Sequence, residues 1–189
     1  MEEKIRECII ADKILKIAEK DIQLAEKISS EIKYSSAKVQ AFLNLYSFSL
    51  NEKYLQKAIE SASCDEDYLR IVEKSLREDM VDLIKDKYKK DLAYSFLLEK
   101  TNNLNFAAKI SDRRLLSAAM KRLCEKMNYP ENLKIARMIP EEYYRCLALV
   151  GIEEKEKIGL EKEIEQCINS VENLNMRKWL ADLWKRKKN

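Results

Sequence analysis

The sequence predicts an all-α fold of stacked antiparallel helical hairpins. Three observations predict it. There are only two glycines and two prolines in 189 residues. Apolar residues recur with helical spacing almost everywhere. A set of apolar columns returns six times along the chain. Strand-rich folds need glycine in hairpins and bulges, and phosphate-cradling loops need it for close backbone approach. With Gly151, Gly159, Pro130 and Pro140 as the whole supply, neither can be assembled. Charged residues make up 37%, against about 25% in an average domain. That balance suits slender helical arrays with much surface per residue.

The helix boundaries are marked by polar residues and proline. Asn51 is placed to cap a helix beginning at Glu52, and Asp65 is a further N-cap candidate. Thr101-Asn102-Asn103 separates two helices, Ser111-Asp112 opens another, and Asn173 caps the last. Pro130 and Pro140 each suit a first helical turn, where a missing N–H costs nothing. The expectation is about 12 short helices joined by loops of a few residues, which implies antiparallel neighbours.

The repeat is read from six anchors: Ile28, Ala62, Ile84, Ile110, Ile139 and Val171. Four residues before them stand Leu24, Ala58, Met80, Phe106, Ile135 and Cys167. Three before stand Ala25, Ile59, Val81, Ala107, Ala136 and Ile168. Nine after stand Ala37, Ile71, Ala93, Ala119, Ala148 and Leu180. Every member is apolar. Positions −4, −3 and 0 make the buried stripe of a first helix, and +9 lies on the inward face of a second. One such pair cannot bury its own apolar face, so pairs must pack on one another. The anchor spacing drifts through 34, 22, 26, 29 and 32 residues, and an irregular helical bundle is the alternative.

The units Leu24-Ala25-Glu26-Lys27-Ile28, Phe106-Ala107-Ala108-Lys109-Ile110-Ser111-Asp112 and Ile135-Ala136-Arg137-Met138-Ile139-Pro140-Glu141-Glu142 resemble degenerate tetratricopeptide or HEAT-type repeats. Tyr143-Tyr144-Arg145-Cys146-Leu147-Ala148-Leu149 is similar to the second helix of such a unit. The likeness covers roughly residues 20–187. It lacks the tetratricopeptide glycine and the Trp–Leu–Gly–Tyr spacing. It implies an α-solenoid-like architecture, one helical-repeat domain over 1–189.

The chain has no histidine, which removes Ser-His-Asp and Cys-His nucleophile pairs and most zinc sites. The five cysteines, Cys8, Cys64, Cys124, Cys146 and Cys167, are never closer than 21 residues. They read as buried thiols in a reducing compartment. Acid–base candidates by density are Asp65, Glu66 and Asp67, then Glu153, Glu154 and Glu156, then Glu161, Glu163 and Glu165. All read more simply as helix N-terminal acids and solvated faces. No phosphate-binding glycine motif is present. The expectation is therefore a protein that is no enzyme and needs no cofactor or metal. No stretch approaches the ~20 apolar residues of a membrane span, and a cytoplasmic location is expected.

Two basic regions stand out. One holds Arg113, Arg114, Lys121, Arg122, Lys126, Lys134 and Arg137. The other, residues 177–189, carries six cations against one acid and suits a polar end cap. Trp179 and Trp184 differ by five in register and point about 140° apart; core packing of both is expected, and an edge position for one of them is the alternative. The candidate partner-binding residues are Arg113, Arg114, Arg137, Tyr143, Arg177, Lys178 and Trp184. The expected role is a protein–protein interaction scaffold whose partner is another protein or a second copy. The alternative is a nucleic-acid-binding accessory protein using the basic faces.

Overall fold

A computed structural model describes residues 2–188. It is 81% helical, with no strand among the described residues. The elements are α1 (Glu2–Ala18), α2 (Ile22–Glu31), α3 (Ser35–Ser49), α4 (Glu52–Ser61), α5 (Asp65–Ser75), a 3-10 turn (Glu78–Leu83) and α6 (Lys87–Thr101). A second 3-10 turn (Leu104–Lys109) follows, then α7 (Arg113–Lys126), α8 (Glu131–Met138), α9 (Glu142–Glu156), α10 (Glu161–Ser170) and α11 (Leu174–Lys188). No described helix is long and apolar enough to cross a membrane.

The elements alternate in length. Helices of 11–17 residues (α1, α3, α5, α6, α7, α9, α11) are separated by helices of 6–10 residues. Each link from a short helix to the next long one has three residues: 32–34, 62–64, 84–86, 110–112, 139–141 and 171–173. Each opens on an aliphatic residue in extended conformation: Ile32, Ala62, Ile84, Ile110, Ile139 and Val171. All but Ala62 are buried.

Five of the six sequence anchors are therefore the residues that end a short helix. The first is displaced by one turn. Ile28 lies inside α2, and the equivalent residue is Ile32. The cause is the sequence Ile28-Ser29-Ser30-Glu31-Ile32, in which either isoleucine fits a helical stripe. Re-registered, the position three before the first anchor is Ser29, fully buried and satisfied by donating to Ala25 O at 2.8 Å. The position nine after becomes Ala41, and in the other five units it is Ile71, Ala93, Ala119, Ala148 and Leu180. None of these six is more than 4% exposed. This column is the most consistently buried one in the chain, and alanine at four of its places allows close approach of neighbouring helices.

The chain folds into two compact units, Met1–Ala93 and Tyr94–Asn189, and the division falls inside α6 and not at a linker. In the first, α1 packs on α2 and α3, α3 on α4 and α5, α4 on α5, and α5 on its 3-10 turn. Phe42, Leu43, Leu45, Leu55 and Ile71 are its fully buried centre. In the second, α7 packs on α8 and α9, α8 on α9, α9 on α10 and α11, and α10 on α11. Leu123, Ile139 and Leu149 are buried there.

Most predicted caps are in place. Asn51, Asp112 and Asn173 each accept backbone N–H groups at the start of α4, α7 and α11. Asp65 is a correction: it is the first residue of α5, behind Cys64, which makes no side-chain cap. Its carboxylate instead accepts from Lys85 N and Asp86 N at 3.1 and 2.7 Å. Pro130 and Pro140 lie just ahead of α8 and in the 139–141 link, outside the helices proper. The cysteines also divide: Cys124, Cys146 and Cys167 are buried, whereas Cys8 and Cys64 are exposed, against the reading of all five as buried.

Candidate interaction site

The three-residue links are held by side chains from the long helices. Glu7 of α1 accepts from Lys33 N and Tyr34 N at 3.1 and 2.6 Å. Asp65 does the same for Lys85 and Asp86, and those two amides hold its carboxyl below the usual range. At the 139–141 and 171–173 links the grip comes from cations and a hydroxyl. Arg113 donates to Pro140 O at 2.9 Å and pairs with Glu141 at 3.2 Å. Ser117 Oγ accepts from Glu141 N. Arg145 and Arg177, each six residues beyond an anchor, donate to the anchor carbonyls Ile139 O and Val171 O at 3.4 and 2.8 Å. At most the first residue of each link is buried, so these bonds act as ordinary hydrogen bonds, each worth about 0.5–1.5 kcal/mol.

Arg113 and Arg177 are thus braces of the fold. Arg137 forms a two-pronged pair with Glu163, Nε to Oε1 at 2.9 Å and Nη2 to Oε2 at 2.8 Å, which holds the Glu163 carboxyl below its ordinary value. Arg122 pairs with Glu99, Lys126 donates to Glu99 O, and Lys121 pairs with Glu125. Arg114 is exposed and hydrogen-bonds the Tyr144 hydroxyl, which raises its pKa. Lys178 is exposed. In the C-terminal basic run, Lys187 pairs with Glu154 and Lys188 with Glu165. Much of the positive charge in both regions is met by acids or carbonyls of the chain.

The aromatic residues are placed differently from the candidates. Trp184 is only 7% exposed, and its Nε1 has no partner among the described residues. Trp179 is 46% exposed and lies 6.1 Å from the Tyr143 ring, which in turn meets Tyr144 edge-on at 5.4 Å. Tyr143, Tyr144 and Trp179 form one half-open aromatic cluster on α9 and α11. Core packing is expected of both tryptophans, and the fold gives it only to Trp184, leaving Trp179 half exposed beside Tyr143.

The acidic clusters are engaged in structure. Asp65 clamps a link, Glu66 pairs with Lys89, and buried Asp67 accepts from Ser63 N. Glu153 gathers the N–H groups of Ile158, Gly159 and Leu160 at 3.0–3.2 Å. Glu154 and Glu165 meet the terminal lysines, and Glu163 meets Arg137. Among the described residues no group of three or more Cys, Asp or Glu side chains is arranged to hold a metal.

Sequence reasoning missed a cleft in residues 2–93. About 380 Å³ in volume, it is lined by three successive long helices: Cys8 and Asp12 of α1, Ser36 and Gln40 of α3, and Glu66 and Arg70 of α5, with Tyr34 at its rim. On α3 and α5 its lining stands one and five residues before the buried column, Gln40 and Ser36 before Ala41, Arg70 and Glu66 before Ile71. Residues 94–188 hold a cavity of about 240 Å³, bordered by Cys124, Asn132, Gly151 and Lys155, and a shallower concavity of about 430 Å³ lined by Ile168, Ala181, Trp184 and Lys185. Compared with protein-family models, curated proteins and solved structures, the chain matches none of them.

Proposed function

We propose that this chain is a non-enzymatic helical-hairpin repeat protein that acts as an interaction scaffold, receiving another protein in the cleft of residues 2–93. Each long helix and the short helix after it make one hairpin, and the three-residue link joins it to the next. The observation that carries the functional reading is the cleft itself. Three successive long helices each contribute side chains to one concavity, the arrangement by which stacked repeats make an extended binding surface. Its lining offers both charges, an amide, a hydroxyl and an aromatic edge, which suits a polypeptide better than an apolar cofactor. The engagement of the acidic clusters in caps, links and ion pairs supports the non-enzymatic part, and the internal pairing of the cations favours a protein partner over nucleic acid.

The test is affinity capture with the tagged chain from lysate of its source, with retained proteins identified by mass spectrometry and their stoichiometry measured. A protein partner is expected to be retained near one to one and lost on Arg70→Glu, which reverses charge in the cleft. A chain that retains no protein, or one whose retained protein is indifferent to Arg70→Glu, overturns the proposal.

A further inference from the structure

We propose that Cys146, Cys167 and Arg145 form a peroxide-reactive dithiol site, in which Cys167 is oxidised first and Cys146 closes the pair to a disulfide. The site lies in residues 94–188 and does not depend on the cleft reading. Helices α9 and α10 pack on each other. Cys146 stands on α9 and Cys167 on α10, 21 residues apart in sequence. Cys167 Sγ donates to Glu142 O at 3.6 Å. That carbonyl is the one an α-helix gives to the amide of Cys146, four residues on. Both cysteines are thus held at one turn of α9, and their thiols share a hydrogen bond. Arg145 hydrogen-bonds Cys167 from the same turn. Cys146 is fully buried and Cys167 is 8% exposed, so Cys167 is the sulfur that a small oxidant reaches. Packing alone does not call for two thiols here. The equivalent places, seven after one anchor and four before the next, hold Val39 and Ala58 in one hairpin and Leu69 and Met80 in another.

The surroundings set the order of reaction. At Cys124 burial dominates and pushes the thiol up to about 12, which leaves it inert. Cys167 moves the other way. The S–H of Cys146 donates to its sulfur and the Arg145 guanidinium sits beside it, and together they hold Cys167 below its ordinary value against burial and the Glu142 charge. Cys146, which keeps the shared proton, is pushed up. The thiolate is the nucleophile, so the accessible sulfur is also the reactive one. The oxidant is hydrogen peroxide. The Cys167 thiolate attacks one peroxide oxygen, the O–O bond breaks, and hydroxide leaves behind a Cys167 sulfenic acid. The proton first lost from the pair converts that hydroxide to water. The Cys146 sulfur then attacks the Cys167 sulfur, and its S–H proton leaves with the hydroxyl as a second water. Two thiols are oxidised to one disulfide, and one peroxide is reduced to two waters. The bond staples α10 to α9.

Intact mass and peptide mapping of the folded, reduced full chain test this, in a Cys8→Ser, Cys64→Ser background that removes the exposed thiols. Circular dichroism verifies that each variant is folded. Equimolar hydrogen peroxide is expected to remove the mass of two hydrogen atoms per chain and to yield one linked peptide pair containing Cys146 and Cys167. Dithiothreitol is expected to restore both thiols. Cys146→Ala is expected to stop the reaction at the sulfenic acid, so that dimedone labels Cys167. Arg145→Gln is expected to slow disulfide formation several-fold. A folded chain that forms no disulfide, a linkage through Cys124, closure only after unfolding in urea, dimedone on Cys124 instead of Cys167, or a rate indifferent to Arg145→Gln each overturns the proposal. If Cys146→Ala does not fold, the linkage mapped in the chain that keeps both cysteines decides alone.

Discussion

Two links in each compact unit are held by side chains of opposite charge. Every link from a short to a long helix is three residues long and leaves amides and a carbonyl in need of partners. In residues 2–93 the acids Glu7 and Asp65 reach forward from the preceding long helix and take the two amides after the anchor. In residues 94–188 the arginines Arg145 and Arg177 reach back from the following long helix and satisfy the anchor carbonyl, with Arg113 and Ser117 assisting at the 139–141 link. Links of the same length therefore need not be held by the same residues. What recurs is a backbone geometry that exposes a donor pair on one side and an acceptor on the other, and either can be met.

The largest expected effects ask whether the two units share the same buried column. Ile71→Ala in the first and Leu180→Ala in the second remove fully buried side chains and are each expected to cost about 2–5 kcal/mol. Urea denaturation measures both. A cost well below that range at either site would break the equivalence of the column.

The clamps come next. Glu7→Ala and Arg177→Ala are each expected to cost about 1–2 kcal/mol, with amide exchange accelerated at Lys33 and Tyr34 in the one and around 171–173 in the other. Acid should separate them. Glu26, bound by Lys53 and then Lys57, is held at about 2 against an ordinary 4.5. Its contribution is fully present above pH 4.5 and is lost as pH falls through about 2. Asp65, lowered by the amides of Asp86 and Lys85, has the same sign. Arginine does not titrate in this range. As pH falls below the ordinary aspartate value of 3.8, protection from exchange at Lys85 and Asp86 is expected to drop more than protection at Glu172 and Asn173. An equal drop would mean that the acid clamp carries no special share.

Caps should give similar, smaller costs in both units. Asp21→Ala at α2 and Asn173→Ala at α11 each remove a side chain that accepts two N–H groups, worth about 1 kcal/mol. The smallest effect has the opposite sign. Gly151 lies inside α9, and a Cβ there would meet nothing within 4 Å. Gly151→Ala is expected to raise stability by about 0.5–1 kcal/mol. A destabilisation would show that the cavity beside Cys124 and Asn132 needs that space.

The sequence marked most boundaries correctly where local chemistry acts alone. Asn51, Asp112 and Asn173 cap as read, and Asn102-Asn103 separates α6 from its 3-10 turn, because an N-cap bond closes within three residues. It misplaced what depends on distant neighbours. Asp65 had the composition of a cap, yet its carboxylate reaches 20 residues onward. Ile28 and Ile32 were equivalent to a periodicity argument, and only the end of α2 chose between them. Cys8 and Cys64 had the composition of buried thiols, but both are exposed and line the cleft.

By itself, the sequence determined that this protein is helical. With four glycines and prolines and a periodic apolar pattern, no other secondary structure could satisfy the backbone while burying those side chains. It also marked Ile71, Ala93, Ala119, Ala148 and Leu180, five apolar residues that the fold buries. Only the tertiary structure decided the rest. It spent Arg113, Arg137 and Arg177 on internal partners, covered Trp184 instead of Trp179, and opened the cleft beside Arg70. Charge and aromaticity are properties of a residue. Availability is a property of what the fold brings within a few ångströms of it.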